Sequence, residues 1–294
     1  MKKLKNFKFN FNSSLWIGFA LAFLYLPLVI MAIFSFNDSK SLSSWSGFSL
    51  RWYQELFVNQ QMIDAIVVSV SIAILSTVIS TVLGTITAIG VSKSKPLLRK
   101  LVLQVNNLPI MNPDIVTGIS LMLLFSFIKV EKGYLTMLLA HVAFCTPFVI
   151  TNVLPKVRQL DVNLADAAMD LGATPFQALT KVIIPQIKPG IISGALLAFT
   201  MSFDDFIISY FVSGNGIENI SIVIYNMSKR TNPSIYALAT IILAVVLLFV
   251  AIGTLVPKFF PKATNKLLRS KTAKIVIAVC LALSVVWSIS TGIS

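Results

Sequence analysis

Long, uninterrupted hydrophobic stretches are the dominant pattern along this chain. A stretch of about 20 apolar residues crosses the roughly 30 Å hydrocarbon core of a bilayer as a helix. Helices are expected because a bilayer offers the backbone no hydrogen-bonding partner, and the alternating segments of about ten residues that build a membrane barrel do not occur. Six runs fit the helical pattern: Leu15–Phe36, Ile66–Val91, Ile115–Ile128, Tyr134–Leu154, Ile191–Val212 and Ile235–Val256.

The pattern therefore predicts an all-α membrane protein with a six-helix core. The third run is short unless its helix begins near Leu108. A seventh run, Ile275–Ile289, is also short and follows the basic residues Arg269, Lys271 and Lys274, an arrangement that resembles a signal anchor. We expect this extra C-terminal helix to tether, or to have once led into, an extracellular domain.

Composition and charge support a membrane location. Hydrophobic residues make up 56% of the 294 residues and charged residues 12%, about half the charged fraction of a soluble domain. The mean hydropathy is +0.85. The net charge of +13 would indicate a nucleic-acid partner in a soluble protein, but here the positive-inside rule explains it and no nucleic acid is expected.

The basic residues also predict the orientation. If the N-terminus is cytoplasmic, the inside segments hold eighteen Lys and Arg and the outside segments hold six. Cytoplasmic loops carry the excess of Lys and Arg, so a cytoplasmic N-terminus is the expected arrangement.

The inside segment between the fourth and fifth runs is patterned rather than apolar. Within residues 161–189, Asp161 or Asn163 suits the cap of a short helix, and the alanine-rich sequence that follows favours helix. Gly172 is expected to end that helix.

A second helix is expected directly after the glycine. Thr174 suits its cap and Pro175 its first position. We expect this helix to run to about Ile184, before Pro185, so that the two helices form an L-shaped element on the cytoplasmic face.

This segment resembles the EAA loop of type I ATP-binding-cassette (ABC) importer permeases. The family pattern is Glu-Ala-Ala, three residues, Gly, nine residues and Ile-x-Leu-Pro, and the matching residues here are Asp166, Ala167, Ala168, Gly172, Val182, Ile183, Ile184 and Pro185. The resemblance implies that the loop docks into a cleft of an ATPase subunit and transmits its closure to the membrane helices. Asp166 replaces the Glu of the family pattern, a carboxylate one methylene shorter. The competing interpretation is an ordinary amphipathic helix pair at the interface.

The resemblance extends over most of the chain to the PotC-type permeases of spermidine/putrescine importers. The stretches that carry it are Asn112–Val116, His141–Phe148, Asp166–Gly172, Ser202–Phe206 and Ala237–Thr240. It implies a permease domain over residues 1–260, followed by a basic cytoplasmic linker at 261–274 and the extra segment at 275–294. It also implies a bacterial plasma-membrane location and polyamines as the cargo.

The same resemblance implies the partners. They are a second homologous permease subunit, an ABC ATPase dimer, an extracellular polyamine-binding protein and membrane lipid. The phosphate-binding sequence G-x-x-x-x-G-K-[ST] does not occur, so ATP and Mg²⁺ are expected on the ATPase and no cofactor is expected here. We expect a transport subunit with no catalytic residue, no metal site and no ATPase site.

Two adjacent acids, Asp204 and Asp205, interrupt the fifth run. An ionisable residue inside a membrane costs at least about 2.5–3.5 kcal/mol on insertion scales, and such residues are usually functional. The apolar runs contain no Lys or Arg to pair with the two acids. Three interpretations stay open: both acids line a cation pathway, they pair with a partner permease, or the helix is shorter and they lie at its outer mouth.

Four other residues are candidates for the pathway. Asp114 opens the third run, where it either complements the helix dipole or lines the pathway. Phe203, Phe206 and Tyr210 stand beside the acidic pair, where they serve either cation–π contacts or plain packing. His141, the chain's one histidine, is expected to form hydrogen bonds between helices.

Three rival functions remain. A permease for another small cationic solute fits the same residues. An intramembrane protease needs a Ser–His dyad or aspartates on separate helices, whereas Asp204 and Asp205 are adjacent and Ser193-Gly194 matches a nucleophile motif poorly. A secondary transporter predicts inverted repeats and does not explain the EAA spacing.

Overall fold

The structure, a computed structural model, describes residues 11–40, 44–161, 163–229 and 233–259. Apart from one isolated bridge between Asn37 and Phe48, the regular structure in these ranges is helical, which confirms the all-α prediction. The predicted segments 261–274 and 275–294 lie outside the described residues. The helices are α1 (Phe11–Phe34), α2 (Arg51–Val58), α3 (Gln60–Lys93), α4 (Pro96–Met111), α5 (Asp114–Phe127), α6 (Tyr134–Arg158), α7 (Leu164–Asp170), α8 (Pro175–Gln177), a π-helix (Ala178–Ile183), α9 (Ile184–Asp204), α10 (Ile207–Val212), α11 (Ile220–Lys229) and α12 (Ser234–Phe259).

Several of these helices are suited to a membrane. Over the described residues, three are long and apolar enough to cross it: Gln60–Lys93, Tyr134–Arg158 and Pro175–Asp204. The pair α4 and α5 passes the same test if it counts as one bent span. Shorter apolar helices, Gly18–Phe34 and Ser234–Ala244, fall in the first and sixth predicted runs.

The third predicted run is the second half of a sharply bent pair. Helices α4 and α5 meet at 108°, so the helix does not begin near Leu108 as one straight element. Asn112 and Pro113 are both extended at the bend, with ψ near 144° and 140°. Proline disfavours helical backbone in the residue before it, which accounts for the break.

The chain divides into two compact units. Of the described residues, one unit comprises 11–40, 44–60, 227–229 and 233–245, and the other comprises 61–161, 163–226 and 246–259. In the first unit, Trp52 of α2 is 2% exposed and its Nε1 donates a 2.6 Å hydrogen bond to the Asn37 carbonyl. Phe36 and Phe48 stack nearby with ring centroids 5.3 Å apart.

Helix α6 forms the centre of the second unit. Its buried side chains include Met137, Val149 and Val153, each fully enclosed. Two glycines let neighbouring helices approach Val149: a Cβ on Gly84 of α3 would lie 2.6 Å from its Cγ1, and a Cβ on Gly194 of α9 would lie 3.2 Å from its Cα. Close approach at small residues is a usual packing mode of membrane helices.

Replacing Gly84 with leucine is therefore expected to destabilise the second unit. The added side chain would overlap Val149, and overpacking of this kind costs about 1–3 kcal/mol. The measurement is the melting temperature of the detergent-purified protein, with Gly90→Leu as the matched control, because a Cβ on Gly90 of the same helix meets nothing within 4 Å. Equal melting temperatures for the two variants would contradict this packing.

Candidate functional site

The fifth predicted run is a broken helix, and the break falls at the acidic pair. Helix α9 ends at Asp204 and α10 begins at Ile207. Asp205 between them is extended, with φ near −65° and ψ near 126°. The expectation of one helix over Ile191–Val212 is therefore wrong.

The side chain of Asp205 accounts for the break. Its Oδ1 accepts a hydrogen bond from the Ile208 N–H at 3.2 Å, and its Oδ2 accepts one from the Ser209 N–H at 2.7 Å. Short polar side chains compete in this way with the helical hydrogen bonds of the backbone and cap a new helix. Asp205 thus ends α9 and starts α10.

Asp205 is buried in a polar network. Its side chain is 7% exposed, and its Oδ2 also accepts a 2.7 Å hydrogen bond from the Ser209 hydroxyl. His141 of α6 lies between both helical pieces, with Nδ1 2.6 Å from Ser202 Oγ and Nε2 2.9 Å from Ser209 Oγ. His141 Nε2 is 3.5 Å from Asp205 Oδ2. The histidine therefore forms hydrogen bonds between helices, as its position in the sequence indicates.

The network superficially resembles the Asp–His–Ser arrangement of a hydrolase. However, Ser202 is 3% exposed and its hydroxyl is also bonded to Ser76 Oγ at 2.9 Å. His141 is 1% exposed. A nucleophile must reach its substrate, so this enclosed cluster does not favour the protease interpretation.

Asp204 has the opposite environment from Asp205. It is exposed, and the described residues offer its carboxylate no hydrogen bond or salt bridge. The two neighbouring acids are therefore separated by the break: one carboxylate supports the fold and the other is free. Every oxygen of the Asp205 carboxylate already accepts a hydrogen bond, so of the two acids only Asp204 has a carboxylate available to a cation, and its pathway role stays a prediction.

Asp114 lies close to this break. It is the first residue of α5 and is exposed. One turn further on, Gly118 packs against α10, where a Cβ would lie 3.4 Å from the Ile208 Cα. Asp114 and Asp204 each lie near enough to Asp205 for their negative charges to interact. The exposed carboxylates of Asp114 and Asp204 thus both lie within the electrostatic surroundings of Asp205.

Aromatic rings gather at the same place. Phe206, within the break, has its ring centroid 5.6 Å from that of Tyr210 and 4.7 Å from that of Tyr225. Phe203 instead stacks on Phe199 at 5.9 Å within α9. Tyr225 belongs to α11 and was not among the sequence candidates; nothing local marks it, because its neighbours in the cluster lie at least 15 residues away in the chain.

The predicted L-shaped element has the expected turn at Gly172. Helix α7 ends with hydrogen bonds from the Gly172 N–H to the Met169 carbonyl at 2.8 Å and from the Ala173 N–H to the Ala168 carbonyl at 3.1 Å. These bonds form a Schellman motif, which needs a left-handed residue. Gly172 has φ near 86°, a conformation that glycine adopts freely.

The second helix of the element starts as predicted but does not end as predicted. Thr174 and Gln177 form a capping box, with Pro175 at the first helical position. The helix was expected to stop before Pro185; instead it continues through a π-helix directly into α9. Pro185 lies in the first turn of α9, where it is tolerated. The loop is thus joined without interruption to the helix that ends at Asp204.

The candidate residues of the loop are presented at its surface. Asp166 and Ala167 are exposed in the first turns of α7, and Ala168 and Ile184 are half-buried. Large apolar side chains beside them are also exposed: Leu171 by 91%, Phe176 by 73% and Met169 by 37%. Exposed apolar side chains grouped in this way mark an interaction surface.

The helices define an all-α protein with several segments suited to cross a membrane. Residues 80–262 match the family model described as binding-protein-dependent transport system inner membrane component. The chain belongs to this family of ABC-importer permeases.

Proteins with similar sequences are also named as permeases of transport systems. The chain is 40% identical to the putrescine transport system permease protein PotI of Escherichia coli K12 over 79% of this chain and 85% of that protein. It is 36% identical to the spermidine/putrescine transport system permease protein PotC of the same strain, over 81% and 90%. It is 37% identical to PotC of Haemophilus influenzae, over 81% and 93%.

Solved structures support the fold. A bacterial ABC transporter involved in the import of the acidic polysaccharide alginate matches with a TM-score of 0.62 at 18% identity, over 79% of this chain and 88% of the other. A bacterial alginate transporter in complex with an alginate pentasaccharide-bound periplasmic protein matches with a TM-score of 0.61, over 84% and 92%.

Proposed function

We propose that this chain is the permease subunit of an importer that moves polyamines, spermidine or putrescine, into the cytoplasm. The observation that carries the proposal is Asp204, which is exposed and has no partner among the described residues, at a helix break beside an aromatic cluster. The names of PotI and PotC, which the chain resembles over most of its length, support the same cargo.

The chemistry of the break suits a polyamine. A polyamine alternates ammonium groups with short methylene chains, so it needs both carboxylates and apolar or aromatic surfaces. Asp204 and Asp114 offer exposed carboxylates, which bind ammonium groups through charge-assisted hydrogen bonds. Phe206, Tyr210 and Tyr225 offer ring faces for cation–π contacts.

The energy for transport comes, in this proposal, from a partner ATPase that binds ATP and Mg²⁺. The loop over residues 161–189 is the coupling element, and its exposed Leu171 and Phe176 suit a cleft on that partner. Because the second helix of the loop continues into α9, movement of the loop reaches Asp204 along one continuous element. Asp166 is the residue of the loop that a basic group on the ATPase would contact.

The remaining assembly follows from the family. A second homologous permease subunit completes the pathway, and an extracellular polyamine-binding protein delivers the cargo. An alginate transporter of similar fold is known in complex with its periplasmic protein, which supports such a partner here. The excess of Lys and Arg in the inside segments supports a cytoplasmic N-terminus.

Uptake by the reconstituted complex tests the proposal. The permease pair, the ATPase and the binding protein are placed in proteoliposomes, and entry of labelled spermidine and putrescine is measured with ATP on the ATPase side. ATP-dependent uptake and stimulated ATP hydrolysis are expected.

Competition defines the cargo class. Unlabelled polyamines are expected to reduce the uptake, whereas other small cations and the anion sulfate are not. Failure of both polyamines to enter or to stimulate hydrolysis would refute the cargo, and preferential uptake of another small cation would favour the rival solute.

A further inference from the structure

The ring of His141 contacts the chain on both sides of the break between α9 and α10. Its Nδ1 is 2.6 Å from Ser202 Oγ, in the last turn of α9, and its Nε2 is 2.9 Å from Ser209 Oγ, in α10. The ring is 1% exposed. One side chain of α6 thus joins the two pieces of the broken helix.

The positions of the hydrogens follow from the partners. The carboxylate of Asp205 only accepts, so the Ser209 hydroxyl donates its one hydrogen to Asp205 Oδ2 at 2.7 Å. His141 Nε2 must then donate to the Ser209 oxygen. In the neutral imidazole, which has one N–H, Nδ1 accepts the hydrogen of the Ser202 hydroxyl.

The same reasoning extends the network to two further elements. Ser202 Oγ has given its hydrogen to His141, so it accepts one from Ser76 Oγ of α3 at 2.9 Å. Asn219, just before α11, donates from Nδ2 to Ser209 Oγ at 2.9 Å and to the Asp205 carbonyl at 2.7 Å. The network thus connects α3, α6, the two pieces of the broken helix and the segment before α11, and so favours one geometry of the break.

The direction of Asp204 depends on this geometry. Its carboxylate has no bond to the described residues that would orient it, so the backbone at the break sets where it points. That backbone is held by Ser202, two residues before Asp204, and by Asp205, directly after it.

We propose that His141 is a positioning residue, which bridges Ser202 and Ser209 and so holds the Asp204 carboxylate toward the transported cation. The proposal rests on the cation site of the proposed function. His141 itself is enclosed and does not contact the cargo.

Two substitutions of His141 separate its hydrogen bonds from its bulk. Leucine fills a similar space without polar atoms, whereas glutamine offers one carbonyl acceptor for Ser202 and one amide donor for Ser209. His141→Leu is expected to lower spermidine uptake per ATP hydrolysed about tenfold or more, since small misplacements of a positioned group have effects of this size. His141→Gln is expected to restore most of the uptake. If glutamine is as impaired as leucine, the bridging role is refuted.

Thr136→Val is the matched control. Thr136 is a buried residue of the same helix, and its Oγ1 donates a 2.8 Å hydrogen bond to the Val212 carbonyl of α10. It ties α6 to α10 without contacting Ser202 or Asp205, so uptake per ATP is expected to stay near the wild-type value. A loss equal to that of His141→Leu would show that weakening any hydrogen bond between α6 and α10 lowers uptake per ATP. That result would overturn the proposal.

A double substitution tests whether His141 acts through Asp204. If it does, His141→Leu combined with Asp204→Asn lowers uptake no further than Asp204→Asn alone, because coupled residues are not additive. Independent, multiplicative losses would overturn the positioning role and leave the cation site intact. Normal uptake by Asp204→Asn alone would instead refute the proposed cation site at Asp204, and the positioning role of His141 would be refuted with it.

Discussion

Replacing Asp204 with asparagine is expected to reduce spermidine uptake by the reconstituted complex about tenfold or more. The exchange removes the free carboxylate at the helix break but keeps its size. A charge-assisted hydrogen bond contributes about 1.5–3 kcal/mol, and about 1.4 kcal/mol corresponds to a factor of ten. The measurement is initial uptake of labelled spermidine at a fixed concentration of loaded binding protein.

Two further substitutions serve as controls for this result. Asp204→Glu keeps the charge and is expected to keep much of the uptake. Asp205→Asn should act differently, because its buried carboxylate accepts three hydrogen bonds and loss of such a partner costs about 1–3 kcal/mol. It is expected to lower the yield of folded complex. Wild-type uptake by Asp204→Asn would contradict the proposed cation site.

Replacing Gly172 with valine is expected to uncouple transport from ATP hydrolysis. Gly172 has φ near 86°, and a β-branched residue is a genuine outlier in that conformation. A Cβ there meets nothing within 4 Å, so the obstacle is the backbone conformation and not space. The turn between α7 and α8 would open and displace the coupling surface. Uptake is expected to fall about tenfold or more, since left-handed backbone costs about 1–2 kcal/mol per residue.

Asparagine at the same position distinguishes conformation from volume. It adds a side chain, yet it tolerates the left-handed region better than other residues. Gly172→Asn is therefore expected to retain most of the uptake, while basal ATP hydrolysis continues in both variants. Equal loss in the two variants, or wild-type coupling in Gly172→Val, would contradict the assigned role of this turn.

The coupling loop shows how far local sequence can predict structure. The turn at Gly172, the cap at Thr174 and the position of Pro175 depend on residues within one or two helical turns, and the structure has all three. The predicted end of the second helix is wrong, because the helix continues past Pro185, which lies in the first turn of α9. A proline stops a helix that approaches it from a distance, but it fits the first turn, and local sequence does not distinguish the two cases.

The acidic pair Asp204 and Asp205 shows what local sequence does not predict. Local sequence marks two membrane acids without basic partners and assigns Asp204 and Asp205 the same candidate role. The environment of Asp205 depends on His141 of α6, whose Nε2 lies 3.5 Å from Asp205 Oδ2, and on Asn219, whose Nδ2 donates to the Asp205 carbonyl. Asp205 is enclosed because those distant elements converge on it.

The sequence by itself determined the class of protein, because run length, charge distribution and motif spacing are properties of neighbouring residues. Hydrophobic runs specify membrane helices, and the spacing from Asp166 to Pro185 specifies the permease family. Only the tertiary structure decided where the fifth helix breaks and which acid stays free. The physical reason is that the three donors to the Asp205 carboxylate lie within four residues of it, whereas the groups that pack around this turn, His141 of α6 and Asn219 before α11, come from distant parts of the chain.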